Sequence, residues 1–242
     1  MTAESRLKGG ILAAGRGERL RDCGPFKPLV EINRRPLISY VLDTFAETGV
    51  ADVTVIINET STAVRDRITA DHWPFVIRWI VETTPSSMHS FLRLVEELVR
   101  DGAGPFLIST VDTILPRAGL GAFCEAALLR RDDAVTLAVN QPTDDDNPLW
   151  VACDESQRVT ALGEAAAADA TLATAGVYLV KPEILLEAEA AKRDGVFSLR
   201  AFLDRLLKRG FQISAISIGN SVDVDCAADI IAAEKLLDPT HT

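Results

Sequence analysis

Positive charge is in short supply in this 242-residue chain, whose formal net charge is −10. Nucleic-acid binding rests on pairing many phosphates with Lys and Arg, so DNA and RNA are not expected partners. Cysteines number four: Cys23, Cys124, Cys153 and Cys226 lie far apart, with no C-x-x-C pairing. No secretory apolar core precedes them, so reduced thiols in a cytoplasm are expected. The three histidines, His72, His89 and His241, form no H-x-x-x-H or Cys/His cluster of the kind that binds zinc. Apolar runs fall short of the ~20 residues that cross a bilayer, so no membrane partner is expected. Internal repeats and long low-complexity linkers are lacking too, and one domain over residues 1–242 is the expectation.

The acidity that is present is uneven. Residues 1–35 hold eight basic and four acidic side chains, +4 against −14 for the remainder. A cationic segment in an acidic protein suits a compact polyanion such as a triphosphate, although a solvated basic face has the same composition.

Apolar, β-branched runs alternate with segments of helical period: GGILAAG, PLISYVLDTFAETG, DVTVIIN, the stretch from Ser87 to Arg100, then PFLIST. This is the rhythm of βαβ units, whose ligand sites lie at the carboxyl ends of the strands. Over Pro36–Thr48, Leu37, Tyr40, Val41, Phe45 and Ala46 recur at spacings of three and four, and Gly49 can close the helix. DAVTLAV, PLWVACD, QRVTALG and ATAGVYLV then follow as strands with little between them, which predicts an antiparallel or mixed portion. SLRAFLDRLLKRG has helical period, QISAISI strand character, and AADIIAAEKLL the pattern of a terminal helix. Residues 141–148, QPTDDDNP, have the composition of an exposed loop.

The densest signal is the run Gly9-Gly10-Ile11-Leu12-Ala13-Ala14-Gly15-Arg16-Gly17-Glu18-Arg19-Leu20, which leads through a turn to Lys27-Pro28-Leu29. Glycines here can aim backbone N–H groups at phosphate oxygens, and Arg19 and Lys27 can add charge. A Walker A loop fails, because Arg16-Gly17 stand where Lys and Ser or Thr are needed. The dinucleotide fingerprint fails as well, because Leu20 occupies its third glycine position. Taken as structure alone, Gly15 and Gly17 are turn residues and Arg19 a surface charge. Lys27 lies in a loop, so Lys27→Ala is expected to weaken catalysis more than folding.

Two carboxylate stretches add to this. Phe106–Val111 is an apolar run ending in Asp112, placed at the ligand edge of the sheet, and Asp223 and Asp225 precede the last helix. Alternation puts Asp223 and Asp225 on one face if the segment is extended. Mg2+ needs only one or two protein carboxylates when phosphate and water complete its shell. Asp at strand ends and helix caps is also common for structural reasons.

The loop resembles the signature L-A-A-G-x-G-x-R-[LM]…K-P-[LM] of the sugar-1-phosphate nucleotidylyltransferase (NDP-sugar pyrophosphorylase) family. The strand ending in Asp112 and the late D-V-D element are similar to that family as well, so the likeness runs from Gly9 to Leu237. It implies a Rossmann-like three-layer α/β/α fold with a mixed, mainly parallel central sheet. It also implies that Leu12, Ala13, Ala14, Gly15, Arg16 and Gly17 bind the nucleotide, and that Arg19 and Lys27 stabilise phosphate charge. Asp112 and Asp223 are the implied Mg2+ ligands, with Asp225 the fallback. Ser86 and Ser87, in Glu82–Ser90, match the family loop that reaches the base, although Ser87 can equally cap the following helix. The implied reaction joins a nucleoside triphosphate to a phosphorylated small acceptor, foremost a sugar 1-phosphate, in dimers or tetramers by family habit. The chain departs from the family at Glu164-Ala165, where many sugar enzymes carry Glu-Lys. Glu164 is then left as the acceptor contact, and choline phosphate or another phospho-alcohol stays open. Guanylyl transfer to a molybdenum cofactor and a non-catalytic nucleotide sensor are the competing readings.

Overall fold

The structure is a computed structural model that describes residues 7–15, 17–100, 102, 104–116, 119–141, 148–168 and 170–238. Arg16, most of the acidic 141–148 loop and His241 lie outside the described residues. The first half follows the alternation of the sequence. β1 (Lys8–Ala13) leads to a small hairpin, β2 (Glu31–Ile32) and β3 (Arg35–Pro36), and then to α1 (Leu37–Glu47). β4 (Asp52–Ile57), α2 (Thr62–Thr69), β5 (Val76–Val81), α3 (Ser87–Arg100) and β6 (Phe106–Thr110) come next. β1 pairs in parallel with β4 and β6, and β4 with β5. α1 ends where Gly49 adopts a φ of 72° and Val50 N–H returns to the Phe45 carbonyl at 3.4 Å, as a glycine-terminated helix does.

The second half breaks the parallel pattern. It comprises β7 (Thr113–Ile114), α4 (Gly119–Leu128), β8 (Val135–Asn140), β9 (Trp150–Cys153), β10 (Val159–Leu162) and β11 (Leu172–Val180). Then follow α5 (Ala188–Arg193), α6 (Leu199–Lys208), β12 (Ile213–Ser217), β13 (Val222–Asp223) and α7 (Ala227–Leu236). β11 runs antiparallel to β6, β8 and β9, and β12 rejoins β8 in parallel. The result is a mixed nine-stranded sheet in the order β10-β9-β11-β6-β1-β4-β5, with β8 and β12 branching from β11.

Period-two alternation sends Ile11 and Ala13 of β1 into a core shared with α1, α2 and α4, while Leu12 faces α3 and α6 on the other side. Helices therefore cover both faces. Gly9 permits this closeness, since a Cβ there would meet the Phe45 ring at 2.6 Å. α3 buries Met88, Phe91, Leu92, Leu94, Val95 and Leu98 along one face, each contributing about 1.5–3 kcal/mol. A third, smaller cluster of Leu20, Val30, Ile32, Leu37, Ile114, Val224 and Ala233 ties α7 to the segment after β1. That cluster brings residues around 225 next to residues around 20. No described helix is long and apolar enough to cross a membrane.

Candidate active site

The parallel strands β1, β4 and β6 end together, and a cavity of about 620 Å³ opens at their carboxyl ends. Its floor is the loop after β1, represented by Leu12, Ala14, Gly15, Gly17 and Arg19. Gly17 has a φ of 58°, and a Cβ on it would stand 2.5 Å from the Lys27 Cβ. Glycine is thus what allows the loop to fold back onto Lys27. The 3-10 turns Glu18–Cys23 and Lys27–Leu29 then carry the chain from Arg19 to Lys27.

Lys27 is 9% exposed, and its Nζ donates to Asp112 Oδ2 and to Asp225 Oδ1, each at 2.6 Å. Asp225 Oδ2 accepts in turn from Arg19 Nη2 at 2.7 Å. Burial opposes the Lys27 charge, but Asp112 and Asp225 outweigh it and raise its pKa above the ordinary lysine value. Burial likewise pushes the Asp112 carboxyl upward, and Lys27 reverses this, holding it below the ordinary carboxylate value. A loop position does not leave Lys27 in solvent, as its place in the sequence suggested: its ammonium is buried and compensates two carboxylates.

Short secondary elements set this geometry. β7 pairs with β13, placing Asp223 opposite Thr113, and Val224 N–H donates to the Asp112 carbonyl at 3.0 Å. Asp112 and Asp225 are brought side by side as a consequence. The extended segment stops at Asp223, so Asp223 and Asp225 diverge. Asp223 accepts from the Thr113 hydroxyl at 2.8 Å and lines a second lobe of the cleft, while Asp225 joins Lys27. It is therefore the fallback, Asp225, that shares the lysine with Asp112. Asp229, at the start of α7, accepts from the backbone N–H groups of Asp225 at 2.8 Å and Cys226 at 2.7 Å, fixing the turn.

Ser86 and Ser87 line the cavity, with Ser86 Oγ 2.8 Å from His89 Nδ1. Ser87 is the first residue of α3, and its hydroxyl accepts from Leu199 N–H at 3.0 Å, anchoring the start of α6. Two expected contacts fall elsewhere. Ala13 is 1% exposed and packs beneath the sheet with α1, because alternation turns it away from the cleft. Glu164 is exposed on a 3-10 turn, Gly163–Ala165, and lines neither lobe. Sequence reasoning missed Asn58 of the first lobe and Thr174, Tyr178 and Arg200 of the second, and reached Thr83, Thr84 and Ser90 only as members of the Glu82–Ser90 loop. Asn58 is the one with a local signal, since it follows β4 at the ligand edge; its Oδ1 accepts from Thr83 Oγ1 at 2.9 Å.

A cleft at the carboxyl ends of parallel strands, in a mixed sheet with helices on both faces, is where open α/β folds bind their ligands. Residues 9–183 match the family model of the MobA-like NTP transferase domain, and the chain belongs to that family. A 112-residue stretch, 45% of the chain, is 32% identical to mannose-1-phosphate guanyltransferase 2 of Candida glabrata and 30% identical to the Saccharomyces cerevisiae mannose-1-phosphate guanyltransferase. Each match spans 31% of the relative's length. Among solved structures, the inositol-1-phosphate CTP transferase from T. maritima superposes with a TM-score of 0.80 at 19% identity, covering 97% of this chain and 98% of that one. A putative glucose-1-phosphate thymidylyltransferase from Bacillus anthracis gives 0.78 at 17% identity, with 95% and 94% covered. At these identities the structural likeness establishes the fold.

Proposed function

We propose that the cleft catalyses Mg2+-dependent transfer of a nucleoside monophosphate from a nucleoside triphosphate to a sugar 1-phosphate, releasing pyrophosphate. The observation that carries this is the convergence of Asp112 and Asp225 on one cation, with Arg19 on the second oxygen of Asp225. The curated relatives, named for mannose 1-phosphate, support a sugar 1-phosphate as acceptor.

Two carboxylate oxygens from distant parts of the chain already hold an ammonium between them, so the donor set suits a small hard cation whose shell phosphate and water complete. Asp112 and Asp225 would hold Mg2+, with Asp223 at hand in the second lobe. The ion, when bound, neutralises charge on the phosphates.

This chain's own groups do the rest by position and charge. Leu12, Ala14, Gly15 and Gly17 offer the nucleotide a close backbone approach, and Asn58, Thr83, Thr84 and Ser86 offer polar atoms to the base and ribose. Arg19 and Lys27 present cationic donors to the phosphates. An oxygen of the acceptor phosphate bonds to the α-phosphorus as the bond from that phosphorus to the pyrophosphate oxygen breaks, the electron pair leaving with pyrophosphate. An ionised phosphate needs no general base.

The test is pyrophosphate release from GTP, CTP, UTP, dTTP and ATP, each with mannose 1-phosphate, glucose 1-phosphate and choline phosphate, with and without Mg2+. Turnover confined to a sugar 1-phosphate with Mg2+ is expected. Triphosphate binding without turnover on any pair would identify a sensor instead.

A further inference from the structure

The second lobe, of about 280 Å³, shares Arg19, Ser87, Thr110, Asp112, Leu199 and Asp225 with the first. One continuous cleft therefore has two compartments, with the carboxylates at their junction. The second compartment adds its own walls: Leu149 and Leu203 are apolar, Thr174, Ser198 and Tyr178 carry hydroxyls, and Asp223 and Arg200 carry charge. Such a mixture suits a small polyol more than a flat base.

An anion in this compartment meets an electrostatic problem. Asp112, Asp223 and Asp225 all line it. Among the described residues, Arg200 is the only Lys or Arg that lines this lobe without also lining the first. It is the second residue of α6, whose first turn contains no acidic side chain. A cation there has the wrong sign for the helix dipole, so its placement reinforces a positive end facing the lobe. The start of α6 is also anchored by two hydrogen bonds. Leu199 N–H donates to Ser87 Oγ at 3.0 Å and Ala201 N–H to Ser198 Oγ at 3.1 Å. Ser87 belongs to both compartments, so the backbone that carries Arg200 is registered to the nucleotide side of the cleft.

We infer that Arg200 binds the phosphate of the acceptor, its guanidinium drawing a phosphorylated polyol into the second lobe against the three carboxylates. This rests on the transferase reading for the identity of the anion as acceptor. Guanidinium recognition of a phosphate is distinguishable from a structural role because it discriminates the phosphorylated ligand from the same ligand without phosphate.

The experiment compares full-length wild type, Arg200→Met and Arg200→Lys in two assays. By calorimetric titration with mannose 1-phosphate, glucose 1-phosphate and choline phosphate, and with mannose, glucose and choline, wild type should prefer at least one phosphorylated form. Arg200→Met should lose that preference, and Arg200→Lys should keep part of it. In steady-state turnover of the active pair, Arg200→Met should raise the acceptor KM on the order of 10- to 100-fold while leaving the triphosphate KM within about twofold. An unchanged acceptor KM with wild-type turnover intact would overturn the assignment of Arg200 and leave the transferase reading standing. Absence of turnover by wild type on every pair would remove the transferase reading, and the titrations would still decide Arg200. A wild type without preference for any phosphorylated form overturns it, as does a preference that survives in Arg200→Met.

Discussion

Replacing Lys27 by methionine keeps most of the buried stem and deletes the charge that holds two carboxylates together. Removing one partner of a fully buried pair costs about 3–5 kcal/mol. Here Asp112 keeps 26% and Asp225 37% of its side-chain exposure, and Arg19 remains on Asp225. Water therefore reaches both carboxylates, and the expected loss falls to about 1–3 kcal/mol. In a chain of this length each kcal/mol moves Tm by about 2–4 °C, so Lys27→Met should melt about 2–12 °C below wild type. Mg2+ should then restore much of the loss, because it finds the two carboxylates without an ammonium to displace. At ten times its dissociation constant the restoration is about 1.4 kcal/mol. The assay is scanning calorimetry of both proteins across a Mg2+ series, with activity measured in parallel. A variant that melts with wild type would refute the structural role of the ion pairs. Equal Mg2+ shifts in both proteins would refute competition between Lys27 and the metal for one site.

Three further outcomes follow from the same geometry. Asp112 has a lowered pKa in the folded protein, so its contribution to stability is complete above about pH 3.8 and is lost as pH falls through the folded value. The stability gap between wild type and Asp112→Asn, from urea unfolding, should accordingly shrink as pH drops from 6 towards 3, and a constant gap would contradict the linkage. Gly17→Ala places a methyl 2.5 Å from the Lys27 Cβ at a φ of 58°; a loss of about 1–3 kcal/mol is expected, with a raised triphosphate KM, and an unchanged urea midpoint would count against it. Asp229→Ala removes the acceptor of two backbone N–H groups beside Asp225. About 1–2 kcal/mol should be lost, and the Mg2+ concentration for half-maximal activity should rise; unaltered Mg2+ dependence would show that Asp225 is positioned without it.

Much of this architecture was legible in the chain because local pattern and global fold agree. The apolar runs around Ile11, Val55 and Ile108 are three adjacent parallel strands, and Gly15 and Gly17 lie at their carboxyl ends. The mixed second half followed from strands too close together for helical crossovers, and β11 runs antiparallel to β6 accordingly. What escaped depended on contacts distant in sequence. Alternation treats Asp223 and Asp225 alike until pairing with Thr113 and Ile114 ends the strand at Asp223 and lets Asp225 turn to Lys27. Ser87 opens α3, yet its hydroxyl serves α6, 112 residues away. Arg200 carries no motif, and only the docking of α6 beside α3 turns an ordinary arginine of an amphipathic helix into a wall of the cleft. Glu164 stood out by its neighbour in a sequence pattern, but the turn that carries it faces solvent.

The most direct test of the central claim is Mg2+-dependent pyrophosphate release by wild type, Asp112→Ala and Asp225→Asn, each shown to be folded by its melting transition, with the best triphosphate and sugar 1-phosphate pair. The account predicts metal-dependent release by wild type and a loss on the order of 100-fold or more in each variant. Undiminished turnover in either would contradict it.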